Sequence, residues 1–183
     1  MRVINGRTVS YGETLELATF LVKPAALVRL MERLASTSRA NVVYTHATSE
    51  MIAEYAKQGG IGRTAFIEDE VLFYIAAAHE LLTPARYNIY INDAVPLKDW
   101  YTHANPYSRS LQSSLAESTP LAVAVRLDLP RVVSALLRSG AGWSKCIMGY
   151  SVLTWAALLN RVACARALYN AATPQQWAAM CAP

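Results

Sequence analysis

Thr119-Pro120-Leu121-Ala122-Val123-Ala124-Val125-Arg126, running on through Leu136-Leu137-Arg138-Ser139-Gly140-Ala141, decides how this chain folds. The stretch reads as a complete helix-turn-helix unit. The Thr119 hydroxyl can cap the first helix, and Pro120 suits the first helical position, where its missing N–H has no intrahelical partner to lose. Asp128 falls where the chain must turn, Pro130 can open a second helix, and Gly140 stands where a left-handed residue ends it. Each helix carries an apolar stripe: Leu121, Ala124 and Val125 on the first, then Val132, Val133, Leu136 and Leu137 on the second.

A second copy begins at Ser151, 32 residues after Thr119. Ser151-Val152-Leu153-Thr154-Trp155-Ala156-Ala157 repeats the first-helix pattern and Asn160 takes the turn position. A second helix follows through Ala163, Ala167 and Leu168, closing at Ala171-Ala172. Beyond it, Thr173-Pro174-Gln175-Gln176-Trp177 starts a short closing helix. The pattern resembles the ankyrin repeat, whose signature opens T-P-L-H-x-A and recurs about every 33 residues. The resemblance covers residues 119–172. It departs from the family at Ala122, in place of the usual His, at Asp128-Leu129, in place of the Gly-His turn, and at Ala171-Ala172, where Gly-Ala is preferred. Asp tolerates the left-handed conformation better than most residues, so the turn survives.

The resemblance implies a protein-binding module whose partners dock on the hairpin tip and on the exposed edge of the first helices. By position the tip is 142–150, with Trp143, Lys145, Ile147, Met148 and Tyr150, and the helix edge includes Arg126, Leu127 and Leu158. Trp, Tyr and Arg are common interface anchors; Trp143 covering the repeat stack is the structural alternative. The implied roles are a bacterial effector or a toxin-neutralising partner that masks or recruits a target.

Bulk composition sets bounds on this reading. The chain has 183 residues, 54% hydrophobic and 16% charged, which suits a folded core and excludes a disordered one. Val71-Leu72-Phe73-Tyr74-Ile75-Ala76-Ala77-Ala78 is interrupted by His79-Glu80, so no membrane span is expected. The first residues lack a signal-peptide pattern, which points to a protein cytoplasmic at its source or delivered into a host cytosol. Cys146, Cys164 and Cys181 are widely spaced and read as small apolar fillers, not metal ligands; no cofactor is expected.

Residues 1–110 hold eleven basic and eleven acidic side chains, while 111–183 hold six and two. The excess fits an acidic partner or the solubility of an alanine-rich module, of which the second is the simpler. No basic cluster interleaved with aromatics supports nucleic-acid binding.

The N-terminal part, 1–110, is expected to be mostly helical and to carry a small β-hairpin, leaving 111–183 to the repeats and the closing helix. Asn5-Gly6 is the favoured two-residue hairpin turn between Arg2-Val3-Ile4 and Arg7-Thr8-Val9. Helices are expected from Glu13 to Val22, from Pro24 to Ser36, from a Ser49 cap to a stop at Gly59-Gly60 and from about Glu68 to Leu82. Asn41-Val42-Val43-Tyr44-Thr45 suits a short strand. Tyr87, Ile89 and Ile91 alternate with polar residues, which predicts a half-exposed strand or extended loop, and the turn-rich 93–110 suits a boundary.

Chemistry has few footholds. His79-Glu80-Leu81-Leu82-Thr83 starts like a zinc-protease helix but has Thr where the second His belongs, so His79 reads as a core residue. Gly59-Gly60-Ile61-Gly62-Arg63-Thr64 lacks the strand and Lys of a phosphate-cradling loop and reads as a connection between helices. His46 and His103, near Glu50 and Asp99, permit acid-base work without indicating it. The alternative function is a small enzyme within 1–110 that uses the repeats for substrate capture.

Overall fold

A computed structural model describes residues 1–36, 59–96, 117–143 and 151–181. It opens with the expected hairpin, β1 (Arg2–Ile4) antiparallel to β2 (Arg7–Val9) in the register Arg2↔Val9, Val3↔Thr8, Ile4↔Arg7. Asn5 (φ 47°) and Gly6 (φ 78°) both take positive φ, as the two-residue turn that matches strand twist requires. Alternation then sorts the ribbon: Ile4 and Val9 are buried while Val3 faces out.

Helix α1 (Tyr11–Leu21) starts two residues before the expected Glu13. Ser10 and Glu13 form a reciprocal capping box, Glu13 N–H donating to Ser10 Oγ at 3.2 Å and Ser10 N–H to Glu13 Oε2 at 2.7 Å. Helix α2 (Ala26–Ser36) follows and buries Leu27, Leu30 and Met31 on one face.

Helix α3 (Gly59–Leu81) corrects one expectation. Its start takes in Gly59-Gly60-Ile61-Gly62, which the sequence suggested as a loop. Glycine costs a helix only about 0.5–1 kcal/mol relative to Ala, so glycines in an opening turn can be carried by a strongly packed continuation. Ile67, Val71, Phe73, Tyr74, Ile75, Ala77 and Ala78 supply that continuation, buried on several sides of the helix. No helix among the described residues is long and apolar enough to cross a membrane.

The alternating segment after Pro84 is also helical, α4 (Pro84–Asn92), not extended. Thr83 caps it and Pro84 occupies its first position; Tyr90 and Ile91 then fall on the buried side while Ile89 is 61% exposed. The same residues satisfy a period of 2 and a period of 3.6, and the local start signal favours the helix. A minimal pair of strands, β3 (Val95–Pro96) and β4 (Glu117–Ser118), leads on. The strand suggested at Asn41–Thr45 and the helix expected after the Ser49 cap lie outside the described residues.

The C-terminal part holds two helical hairpins and a closing helix. They are α5 (Pro120–Arg126) with α6 (Pro130–Arg138), α7 (Val152–Leu158) with α8 (Val162–Ala171), and α9 (Pro174–Cys181). Thr119, Ser151 and Thr173 accept from the backbone three residues on, capping α5, α7 and α9. Three of these helices end alike. Asp128 (φ 59°), Gly140 (φ 86°) and Asn160 (φ 55°) turn left-handed just past α5, α6 and α7. In each case the paired backbone bonds of a Schellman motif close the end: Asp128 N–H to Val125 and Leu129 N–H to Ala124, Gly140 to Leu137 and Ala141 to Leu136, Asn160 to Ala157 and Arg161 to Ala156. The fourth differs: Ala172 stays extended (φ −76°), since its Cβ disfavours the left-handed region, and the chain passes directly into the Thr173 cap.

First helix packs on first helix, α5 on α7, and second on second, α6 on α8. The apolar stripe expected on α5 proves too narrow, because Ala122 and Val123 are buried along with Leu121, Ala124 and Val125. The cause lies in the N-terminal helices. Helix α2 packs against α5 and α3 against α6, so the first hairpin is covered on both sides and one hydrophobic cluster runs from Ile4 to Leu168.

Asn160 isolates the turn constraint, being exposed. Asn160→Gly is expected to match or exceed the stability of the parent in urea unfolding, while Asn160→Val loses about 1–2 kcal/mol, the cost of placing a branched side chain at positive φ. Equal stability of the Val variant would show that the turn has relaxed.

Candidate functional site

The seam where α3 meets α6 is fixed by charges aimed at backbone. Helix α6 has no cap of its own, because its N-cap position is Leu129. Glu68 of α3 supplies one from a distance: its Oε2 accepts from Arg131 N–H at 2.6 Å, and Val132 N–H also bonds the carboxylate. A carboxylate there satisfies orphan donors and meets the positive end of the helix dipole. Glu68 is only 5% exposed, and that burial outweighs the helix N–H groups and Arg131, raising its pKa above the ordinary 4.5. One residue on, Asp69 pairs with the Arg131 guanidinium at 2.8 Å.

A cleft of about 720 Å³ opens beside this seam, bounded by the Asn5-Gly6 turn, α3, Tyr87 of α4 and α6. Its polar wall includes Asp69, Arg131, His79 and Glu80. Tyr87 Oη donates to Ser139 Oγ at 2.9 Å, and the His79 ring meets the Tyr87 ring edge-on at 5.3 Å between centroids. His79 is exposed, which corrects its reading as a core residue: it sits at the outer end of α3, where the buried segment has ended. Its contact with Tyr87 is aromatic, and among the described residues no hydrogen bond joins it to either hydroxyl. Arg7, at the cleft edge, reaches inward: it pairs with buried Glu70 at 2.7 Å and lies 4.6 Å from the centre of the Phe73 ring.

Of the residues proposed for partner binding, Trp143 is half-buried and packs against the core cluster. The root of its loop is held by α4, because Gly142 N–H donates to Asn92 Oδ1 at 2.7 Å. Lys145, Ile147, Met148 and Tyr150 lie outside the described residues. Leu158, at the end of α7, is 61% exposed. Arg126 is engaged internally. It pairs with Glu32 of α2, burial lowers its pKa, and its carbonyl accepts from Arg161 Nη2 at 2.9 Å. Arg126 therefore ties α2 to α5, and an interface role would have to compete with Glu32.

Cys164 is fully buried, and its thiol donates to Asp128 Oδ1 at 3.5 Å. Burial first, then that hydrogen bond, pushes its pKa up to about 12, so it is an inert filler at neutral pH. Cys181 is exposed, against expectation, because it sits in the last turn of α9 where only Met180 turns inward; Cys146 lies outside the described residues. Among the described residues no group of three or more His, Cys, Asp or Glu side chains is placed to hold a metal ion. Comparison with family models, curated proteins and solved structures gives no match.

Glu68, Ser139 and the Tyr87 hydroxyl were not visible as a set in the sequence, since their partners lie 63 and 52 residues away. The raised pKa of Glu68 carries a sign. Between pH 4.5 and its folded value the native state keeps a proton that the unfolded chain has released, so this contribution to stability is lost as pH rises through that window. Glu68→Gln, which keeps a carbonyl acceptor, is expected to flatten that slope in pH-dependent thermal melts and to stay close to the parent at neutral pH. Glu68→Ala strips the cap and is expected to lose about 0.5–2 kcal/mol at every pH. If Gln proves as damaging as Ala throughout, the carboxylate is not acting as a cap.

Proposed function

We infer that this chain is a protein-interaction module of the ankyrin-repeat type, built of two helical hairpins stacked on an N-terminal helical region that covers one end. What supports the reading is the repetition of one device 32 residues apart. Asp128 and Asn160 take the same left-handed conformation and close the same pair of backbone bonds. Each follows a hydroxyl-capped seven-residue helix, and the two hairpins pack like on like. Stacked units of this sort bury continuous cores and leave tips and edges free for a partner.

The recognition surface in this reading is the tip that starts at Gly142-Trp143, together with the exposed end of α7 at Leu158. Asn92 anchors the root of the tip, so the loop departs from a fixed point. Its partner is another protein. A role as a bacterial effector or toxin-neutralising protein, masking or recruiting a target, is the form this takes by analogy of fold alone.

The competing reading, an enzyme seated in residues 1–110, has one observation in its favour: exposed His79 and Glu80 line the 720 Å³ cleft with Tyr87. The contribution of Ser139 from α6, outside residues 1–110, weighs against it.

Affinity capture with the full chain and with Trp143→Ala/Tyr150→Ala separates the two. The interaction reading predicts a stoichiometric protein partner that is lost, or weakened tenfold or more, in the double variant and retained by His79→Ala. A lysate protein or metabolite that is chemically modified by the parent, unaffected by the tip variants and spared by His79→Ala, would favour the enzyme.

A further inference from the structure

The charge excess of residues 111–183 is not spread evenly over the stack. Arg126 is paired with Glu32, Arg131 with Asp69, and Arg161 is bonded to the Arg126 carbonyl. Two cations remain. Arg138 on α6 and Arg166 on α8 are exposed, have no acidic partner among the described residues, and line the same groove of about 470 Å³ between those helices. Each is an arginine, a planar donor suited to carboxylates, left facing solvent beside a like charge.

The register of the two hairpins sets their spacing. The 32-residue repeat aligns Ser134 with Arg166 and Arg138 with Asn170, and all four line the groove. Arg166 and Arg138 therefore stand on opposite walls, offset by four helical residues, about 6 Å along the groove at 1.5 Å per residue. An extended chain advances about 6.6 Å per two residues and returns every second side chain to the same face. A peptide lying over the groove with alternate side chains turned down into it thus presents carboxylates at about the same interval to guanidiniums reaching in from either wall. The floor between the walls leaves room for those side chains: Ala135, Ala163 and Ala167 project little into it, while Ser134 and Asn170 can donate to carboxylates or main-chain carbonyls. No aromatic side chain lines this groove to stack a base, which disfavours a single-stranded nucleic acid.

We propose that the α6–α8 groove binds an extended acidic peptide segment of a partner protein, with Arg138 and Arg166 gripping carboxylates on alternate residues. The site is separate from the tip, on the second-helix side of the stack, and adds a second point of contact to the interaction module. It rests on that functional reading only in taking the chain as a binding protein, and the two fail separately, since the tip variants leave this groove intact.

The test is fluorescence anisotropy with the full chain and a labelled nine-residue peptide, Gly-Ser-Asp-Ala-Asp-Ala-Asp-Ser-Gly, against the same peptide with Asn for each Asp. Saturable binding is expected for the Asp peptide, at least tenfold weaker for the Asn peptide, and weakening with added salt. Arg138→Gln and Arg166→Gln should each weaken it several-fold, and Arg138→Glu/Arg166→Glu should abolish it, with thermal melts showing the variants folded. Arg86→Glu, at an exposed position of α4, should leave it unchanged, as should Trp143→Ala/Tyr150→Ala. The proposal is overturned if the Asp peptide fails to bind, if Arg86→Glu weakens binding as much as the groove variants, or if a nine-nucleotide oligothymidine competes on equal terms.

Discussion

Glu68 holds a carboxylate inside the protein against the unprotected N-terminus of α6, and the rest of the structure is arranged around that contact. A helix that begins at Leu129-Pro130 has no side chain able to cap itself, so α6 must either leave donors unsatisfied or borrow an acceptor. Borrowing it from α3 fixes the position of the long central helix relative to the hairpins to within a hydrogen bond. Asp69–Arg131 and Tyr87–Ser139 then extend the seam along α6, and Glu32–Arg126 repeats the arrangement between α2 and α5. Burying a charge in this way is a poor source of stability, but once it is buried, loss of its partner donors leaves it uncompensated at a larger cost.

Two further side chains act alike. Asp93 Oδ2 accepts from Ala25 N–H at 2.6 Å, where the backbone is left-handed just before α2, and Asn92 Oδ1 accepts from Gly142 N–H at the root of the tip loop. Adjacent residues at the end of α4 thus fix one segment of the N-terminal part and one of the C-terminal part. Seven-residue helices such as α5 and α7 are too short to persist alone, so their local caps and packing against neighbouring helices must hold them. The consequence is a fixed point at Gly142, next to Trp143, and a fixed register between α6 and α8, on which the spacing of Arg138 and Arg166 depends.

What was legible in the sequence was local. Thr119-Pro120, Gly140 and Asn5-Gly6 place their chemistry within a few residues of the structure they cause, and the left-handed turns at Asp128 and Asn160 follow from the repeat offset. Helix α4 was misread because Tyr87-Ile89-Ile91 fits a strand while Tyr87-Tyr90-Ile91 fits a helix, and only the Thr83-Pro84 start decides between them. The opening of α3 was misread because three glycines argue against a helix until the weight of packing behind them is known. The candidate sites were less legible still. Arg126 looked available because Glu32 lies far off in sequence, and the arginines of the α6–α8 groove stand out only after the other cations have been matched to their partners.

Contacts across the α3–α6 seam make the hairpins and the N-terminal helices one cooperative unit in unfolding. Amide hydrogen exchange of the full chain across a denaturant series tests it most directly. The account predicts that the most protected amides of α3 and of α5–α6 open in a single step, with the same free energy and the same denaturant dependence. Exchange of α5–α8 at low denaturant while α1–α3 stay protected, or the reverse, would contradict it and leave the stack a separate unit resting on the N-terminal helices.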